Sequence, residues 1–152
     1  MAIRNIRTEG NPVLREICKK VPEVTDSIRR ILDDMTETMY EKDGVGLAGP
    51  QIGIPKRIIV VDDREGMKLK LVNPVIVYAE GEQISSEGCL SIPGFAGKCK
   101  RPKKVTVEAL NENGKAVRIE AEGYAAIILC HEIDHLDGIL YKDKAFEYGS
   151  VN

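Results

Sequence analysis

Two histidines, His131 and His135, lie four residues apart in the stretch LCHEIDHLDG (129–138), and they are the only histidines in the chain. On an α-helix this spacing places both imidazole rings on one face, where they can bind one metal ion. Glu132 follows the first histidine and completes the pattern His-Glu-x-x-His. Catalytic metals of this type have three protein ligands and one open position. The stretch therefore predicts a metal centre that needs a third ligand from elsewhere in the chain.

Two residues that follow the predicted helix are poor candidates for the third ligand. One metalloprotease pattern continues to a third histidine, but this chain has Tyr141 at that position. Glu147 lies close behind the helix, with little chain to bring it back to the site.

The four cysteines form no Cys-x-x-Cys pair and are considered one by one. Cys18 belongs to an amphipathic segment, and Cys130 points about 100° away from its histidine neighbour around the helix, so both are predicted to pack in the core. Cys99, in GKCKRP, is expected to be exposed among cations and is a weak candidate. Cys89 follows Gly88, which lets the backbone approach a ligand closely, and a divalent metal would stabilise its thiolate. A buried, inert thiol is the alternative for Cys89.

Composition excludes several classes of protein. The 152 residues are 43% hydrophobic and 30% charged, which predicts one domain, residues 1–152, with a sizeable core. A net charge of −2, few aromatic residues and no Trp argue against a direct nucleic-acid site. The N-terminal stretch lacks an apolar signal region, and no apolar run reaches 18 residues. We therefore expect a cytoplasmic protein without membrane contact, and we expect a monomer.

The order of predicted elements indicates an α+β fold. A helical stripe in VTDSIRRILDDMTETMYEK has Thr25 or Asp26 as its cap, and the Gly- and Pro-rich segment 43–55 is predicted to be a loop. RIIVVDD is a predicted strand, and KLVNPVIVYAE is a second predicted extended stretch, broken near Asn73-Pro74. SSEGCLSIPGFAG is predicted to be irregular, and KKVTVEAL and KAVRIEA form a predicted hairpin. YAAIILCHEIDHLD is apolar almost all round, so it is a buried helix that ends at Gly138. We expect largely antiparallel β-sheets packed around this helix, which carries His-Glu-x-x-His.

Three motifs resemble those of the peptide deformylase family. They are GVGLAGPQ (44–51), EGCLS (87–91) and HEIDH (131–135), in the same order and at similar spacing. NPVLREICKKV and HLDGILYKD are also similar, so the resemblance spans nearly the whole chain. It implies a hydrolase that removes the formyl group from the N-terminal formylmethionine of newly made polypeptides and releases formate. It also identifies Cys89 as the third metal ligand, beside His131 and His135.

The predicted chemistry follows from these residues. A metal with an open position lowers the pKa of a coordinated water, and Glu132 can take its proton and deliver it to the departing amine. The resemblance implies that the metal, the Gln51 side-chain amide and the Leu90 backbone N–H stabilise the oxyanion. One thiolate and two imidazoles suit Zn²⁺ or Fe²⁺. The resemblance favours Fe²⁺ in the cell, with Zn²⁺, Ni²⁺ or Co²⁺ as alternatives in a purified sample.

Substrate-binding residues are predicted around this centre. Glycine at 44, 46 and 88 lets the backbone come close to an extended peptide, which would pair through main-chain hydrogen bonds. These three glycines are Gly44, Gly46 and Gly88. The apolar candidates for a pocket that receives the methionine side chain are Val45, Tyr124, Ile127 and Ile128. Glu87 and Arg101 resemble the family's ion pair that braces the cysteine segment, with an exposed pair of little energetic value as the alternative.

Two departures from the family pattern carry expectations of their own. Gly49 stands where many relatives have alanine, and it is expected to loosen the segment that aims Gln51. KAFEYGSVN stands where some bacterial relatives carry a longer C-terminal helix, so the expected transient ribosome contact cannot be assigned to such a helix.

The residues alone also allow three other interpretations of the function. They are a His-Glu-x-x-His metallopeptidase acting on ordinary peptide bonds, a non-catalytic relative that binds a metal for stability, and catalysis with Cys89 as nucleophile.

Overall fold

The computed structural model describes residues 2–151 and has an α+β fold. Within this range the helices are α1 (Asp26–Glu41), α2 (Tyr124–Leu136) and α3 (Tyr141–Lys144), with 3-10 turns at Pro12–Arg15 and Gly49–Ile52. The strands are β1 (Gly46–Ala48), β2 (Ile58–Asp62), β3 (Lys68–Glu80), β4 (Gln83–Cys89), β5 (Ile92–Arg101), β6 (Lys104–Leu110), β7 (Ala116–Glu122) and β8 (Ala145–Ser150). Met1 and Asn152, the ends of the predicted domain, lie outside the described residues.

The strands form two antiparallel sheets. One has the order β1-β2-β3-β6-β7, and the other has the order β4-β5-β8. The predicted fold class is therefore confirmed. Strands β1 and β4 are each at the edge of their sheet, so each has one side without a strand partner among residues 2–151.

Helix α1 forms where the apolar stripe predicts it. Thr25 caps the helix, because its side chain accepts a hydrogen bond from the N–H of Ile28. The stripe is buried against β1 and β2, in a core cluster that includes Leu32, Met35 and Met39.

Helix α2 carries the His-Glu-x-x-His pattern and is buried on most of its surface. It contacts β1, β2 and β7 of the five-stranded sheet and β5 of the other. The helix ends before Gly138, which has a φ of +73°, and a Cβ there would lie 2.6 Å from the carbonyl oxygen of Arg15. Only glycine suits this backbone geometry.

Two local predictions were wrong, while the β6–β7 hairpin is confirmed. Segment 43–55 contains strand β1 and a 3-10 turn, and SSEGCLSIPGFAG contains most of the β4–β5 hairpin. Both segments are rich in Gly, Ser or Pro, which are poor strand formers. Their strands form because neighbours distant in sequence supply hydrogen-bond partners: β1 pairs with β2, and β5 pairs with β8.

No α-helix in the part of the chain that the structure describes combines the length and the apolar character needed to cross a membrane.

Candidate metal centre

The side chains of Cys89, His131 and His135 lie close together at the end of β4. Cys89 is the last residue of this strand, and the histidines occupy successive turns of α2. One ligand atom from each residue lies within 4.8 Å of the other two. The Cys89 Sγ is 3.5 Å from the His135 Nε2, and the imidazole centroids are 5.1 Å apart. The three side chains that the sequence and the resemblance selected therefore form one cluster.

The electrostatics of this cluster favour a cation. Burial alone would lower the pKa of His131, but the adjacent Glu132, Cys89 and Glu87 outweigh it and raise that pKa. Burial and the neighbouring His131 lower the pKa of His135. The acidic neighbours thus stabilise positive charge at His131, while the low pKa of His135 favours its neutral imidazole, the form that binds a metal. A soft thiolate and two imidazoles make a donor set that fits one divalent transition metal.

His131 is oriented by a buried ion pair. Its Nδ1 is hydrogen-bonded to the Glu87 Oε1 at 2.8 Å, which leaves Nε2 free to face the cluster. Arg101 binds both oxygens of Glu87 through Nε and Nη2, at 2.8 and 2.7 Å. The Glu87 and Arg101 side chains are 4% and 2% exposed, so the exposed-pair alternative is wrong. Although burial opposes it, bonds from Arg101, His131 and Ser85 lower the pKa of Glu87 and keep it ionised.

Glu132 lies beside the metal ligands and against β1. Its carboxylate is buried next to Gly46, where a Cβ would lie 2.8 Å from the Glu132 Cγ and Cδ. Burial raises the pKa of Glu132 to about 7, despite the opposing effect of His131. Its Oε1 has no hydrogen-bond partner among residues 2–151. A carboxylate with this pKa can both accept and return a proton near neutral pH.

Gln51 is held in one orientation by the 3-10 turn that contains it. Its Oε1 accepts a hydrogen bond from the backbone N–H of Ala48 at 3.0 Å, which fixes the direction of the amide. Its Nε2 donates to the Ser91 Oγ at 3.1 Å and lies 3.5 Å from the Cys89 Sγ. Sequence reasoning missed Ser91, which is fully buried. The signal that could have identified Ser91 was its position at the end of the EGCLS motif.

Gly49 does not loosen this turn. It is buried, and a Cβ there would lie 2.7 Å from the carbonyl oxygens of Ile54 and Lys56. The expectation of added freedom is therefore wrong, because glycine here allows a close backbone packing, beside the segment that contains Gln51, that a larger residue would disrupt.

A cavity of about 250 Å³ opens onto the cluster. Its lining comprises Gly44, Val45, Gly46, Gln51, Gly88, Cys89, Leu90, His131 and Glu132. Tyr124, Ile127 and Ile128 do not line it: Tyr124 is half-exposed, and Ile128 belongs to the core cluster that contains most of α2. Their assignment to a methionine pocket stays a prediction.

The other three cysteines are buried. Cys18 and Cys130 lie in the core, as the sequence predicts. Cys99 was expected to be exposed, but it is fully buried and its thiol donates to the Tyr141 carbonyl oxygen at 3.4 Å. The reason is strand alternation in β5, which directs the neighbouring lysines outward. Burial raises the pKa of all three thiols to about 11, so they remain protonated and are poor ligands.

The two downstream candidates also lie outside the ligand set. The Tyr141 ring packs on His131 with centroids 5.9 Å apart, while Glu147 is exposed in β8 beside Lys98. A larger, open groove of about 640 Å³ lies where β5 and β8 pair, and Glu147 lines it. That groove contains no histidine or cysteine, so its size does not make it the reactive site.

Fold and site together define a class: metal-dependent hydrolases in which a strand cysteine joins a buried His-Glu-x-x-His helix. The polypeptide deformylase family model matches residues 3–149. The peptide deformylase of Acetivibrio thermocellus is 53% identical over 148 residues, which are 97% of this chain and 86% of that protein. The peptide deformylase of Thermoanaerobacter pseudethanolicus is 55% identical over 148 residues, 97% of this chain and 92% of that protein.

Solved structures agree with the sequence comparison. The crystal structure of peptide deformylase from Thermotoga maritima superposes with a TM-score of 0.91 at 39% identity, covering 94% of this chain and 97% of that chain. This chain belongs to the polypeptide deformylase family.

Proposed function

We propose that the Cys89, His131 and His135 cluster holds one divalent metal ion and that Glu132 performs proton transfer beside it. The reaction is the one of the family: hydrolytic removal of the formyl group from N-terminal formylmethionine of nascent polypeptides, with release of formate. The observation that carries this proposal is the convergence of one thiolate and two imidazoles next to a buried carboxylate. When bound, the ion supplies a Lewis acid that acidifies a water and polarises the formyl carbonyl.

Glu132 acts as general base and then as general acid. It takes one proton from the attacking water while a new C–O bond forms at the formyl carbon. It then gives this proton to the nitrogen while the C–N bond breaks, which leaves a free amine and formic acid, and the acid ionises to formate by releasing its proton to the solvent or the amine. The pKa of about 7 suits both steps, because the carboxylate can hold and release the proton near neutral pH.

Gln51 and Leu90 are the proposed donors to the oxyanion that develops during attack. Ala48 and Ser91 fix the direction of the Gln51 amide, and its second Nε2–H, which faces the Cys89 Sγ at 3.5 Å, is the one that would turn to the oxyanion. Leu90 lines the same cavity in the turn between β4 and β5. Both groups are neutral donors and add no charge to the metal site.

An extended peptide fits between the two sheets. The cavity is bordered by Gly44 and Gly46 on the side of β1 and by Gly88 on the side of β4, and both strands are sheet edges. Main-chain hydrogen bonds to these edges would accept many sequences after the first residue. Val45, Tyr124, Ile127 and Ile128 remain the proposed surroundings of the methionine side chain.

Iron is the proposed metal in the cell. The donor set suits Fe²⁺ and Zn²⁺ alike, and the resemblance to the family favours Fe²⁺. Metal analysis of protein purified without oxygen, with activity measured on the same sample, tests this choice against Zn²⁺, Ni²⁺ and Co²⁺. We further propose that residues 1–152 act as one monomeric domain in the cytoplasm. Transient contact with the ribosome stays a prediction.

Replacement Glu132→Gln tests the proposed role directly. We expect metal content close to that of the wild type and a loss of kcat of at least about 100-fold, since glutamine cannot take the proton. Turnover of formyl-Met-Ala is measured together with metal content. A variant that works at the wild-type rate would refute the assignment of Glu132.

Substrate choice separates the proposed reaction from that of a metallopeptidase. Formyl-Met-Ala should be hydrolysed, whereas acetyl-Met-Ala and the unblocked peptide should not. Cleavage of the Met-Ala bond would favour the peptidase. Activity that survives complete metal removal would favour Cys89 as nucleophile.

A further inference from the structure

Asp134 belongs to the same helix as the metal ligands but points away from the cavity. Its carboxylate accepts a hydrogen bond from the Arg101 Nη1 at 2.7 Å, and its side chain is 15% exposed. Lys144 Nζ lies 3.0 Å from the same carboxylate and is half-exposed. Asp134 therefore has its main buried contact with Arg101 and does not line the reactive cavity.

Arg101 needs two carboxylates because it is a buried cation. Its Nε and Nη2 bind Glu87, and its Nη1 binds Asp134, so all three guanidinium nitrogens have an acidic partner. Its side chain is only 2% exposed, so water cannot replace a lost partner without structural change. Removing one charge would leave the cation under-compensated in a low-dielectric setting.

The contacts form a closed path that begins and ends on α2. His131 is bonded to Glu87, Glu87 to Arg101, and Arg101 to Asp134, which is three residues from His131 on the same helix. Glu87 lies two residues before Cys89 on β4, and Arg101 is the last residue of β5. The path therefore joins the strand that carries the cysteine to the helix that carries the histidines.

We propose that Asp134 is a positioning residue for the metal centre. Its bond to Arg101 fixes Arg101 against Glu87, and Glu87 in turn holds the His131 imidazole at the correct distance and angle from Cys89. The proposal rests on the metal ligands proposed above. Asparagine at position 134 could still accept a hydrogen bond from Arg101, but it lacks the negative charge that compensates the buried guanidinium. Arg101 would then shift, and the link between strand and helix would loosen.

The test compares Asp134→Asn with a matched control, Asp137→Asn. Asp137 caps the same helix and pairs with Arg57 at 3.0 Å, but its side chain is 48% exposed and Arg57 is outside the path. The rate of Zn²⁺ release to a chelator is measured for the wild type and both variants. We expect Asp134→Asn to release zinc about tenfold faster and Asp137→Asn to change the rate less than twofold.

A spectroscopic measurement separates positioning from general destabilisation. In the Co²⁺-loaded protein, the thiolate-to-cobalt absorption should shift in Asp134→Asn and stay unchanged in Asp137→Asn, since only the first variant alters the geometry of the ligands. Lys144→Met should leave both readouts near those of the wild type. Should Asp134→Asn fail to fold, Asp134→Glu replaces it with the same expectations, because the added methylene displaces the carboxylate from Nη1.

The outcomes distinguish this proposal from the ligand assignment. If Cys89→Ala releases zinc no faster than the wild type, the assignment of Cys89 itself fails. If zinc retention depends on Cys89 but Asp134→Asn matches Asp137→Asn in release rate and cobalt spectrum, the role of Asp134 alone is overturned.

Discussion

Gly46 has no side chain, and the Glu132 carboxylate occupies the space where one would lie. The glycine is the first residue of β1, where pairing with Val61 of β2 and the buried Leu47 hold the backbone in place. A methyl group there would meet the Glu132 Cγ and Cδ at 2.8 Å, closer than real Cβ contacts allow. The carboxylate and not the backbone is the part that can shift.

Substitution Gly46→Ala should therefore displace Glu132 while the fold persists. A displacement of about 1 Å from the reactive geometry costs on the order of 100-fold in rate, so we expect a loss of kcat of this size with metal content unchanged. Gly149→Ala is the control, because a Cβ at this position in β8 has no atom within 4 Å. Equal kcat values for the two variants would contradict the steric argument.

At the scale of elements, helix α1 holds the N-terminal segment that contacts Gln51, one of the two proposed oxyanion donors. The Asp34 carboxylate accepts hydrogen bonds from the Ala2 backbone N–H at 2.8 Å and from the Arg4 Nε at 2.9 Å. Further along, the Arg7 N–H donates to the Gln51 carbonyl and the Glu9 N–H donates to the Ser91 carbonyl. The segment therefore links α1 to Gln51 and to Ser91, the side chain that accepts a hydrogen bond from the Gln51 amide.

Replacement Asp34→Asn should weaken this attachment. Burial alone would raise the pKa of Asp34, but the Ala2 N–H and the Arg4 guanidinium outweigh it and lower that pKa. A lowered pKa stabilises the fold above the unfolded-state value, about 3.9, and this stabilisation is lost as the pH falls through the folded-state value. We expect Asp34→Asn to reduce the free energy of unfolding by about 2 kcal/mol at pH 7. The difference from the wild type should shrink below about pH 4.

Urea unfolding at several pH values measures this effect. The neighbouring Asp33→Asn is the matched control, because Asp33 pairs with Lys70 and is 40% exposed. An exposed pair of this kind contributes less than about 1 kcal/mol. If both variants lose the same stability and neither loss depends on pH, Asp34 does not anchor the segment.

At the scale of the whole molecule, the candidate metal centre joins the two sheets. Cys89 belongs to the three-stranded sheet, whereas α2 packs chiefly on the five-stranded sheet. Cys99 and Tyr141 form a separate core cluster near β5, with Cys89 packed against it. A bound metal would thus cross-link two cores that otherwise meet through side-chain contacts such as the Glu87–His131 and Arg101–Asp134 bonds.

Metal removal should therefore lower the thermal stability of the protein. At a free zinc concentration about 1,000 times its Kd, binding adds about 4 kcal/mol, or roughly 10 °C in Tm for a chain of this size. Calorimetry of the metal-free and zinc-loaded forms measures the shift. Cys89→Ala should abolish it, whereas Cys99→Ala should lower both Tm values and keep the difference. A full shift in Cys89→Ala would contradict the cross-link.

The spacing of residues close in sequence was sufficient to predict much of the fold and of the candidate site. His131, Glu132 and His135 are close because a helix brings residues three and four apart onto one face, and α1 and the β6–β7 hairpin follow from equally short periodicities. The third ligand has no such local relation to the helix. Cys89 could be named in advance only because its motif resembles that of a known family.

The tertiary structure decided what depends on partners distant in sequence. The sequence predicted an exposed Cys99, an irregular segment in place of the β4–β5 hairpin and a loosened turn at Gly49. All three predictions were wrong, because the composition of a segment does not show which distant segments pack against it. The Arg101 bond to Asp134 and the Ser91 bond to Gln51 span 33 and 40 residues, respectively, and no pattern within either segment indicates them. The sequence by itself determined the reactive groups, and only the folded chain decided which side chains hold them in place, because those contacts form between segments that packing alone brings together.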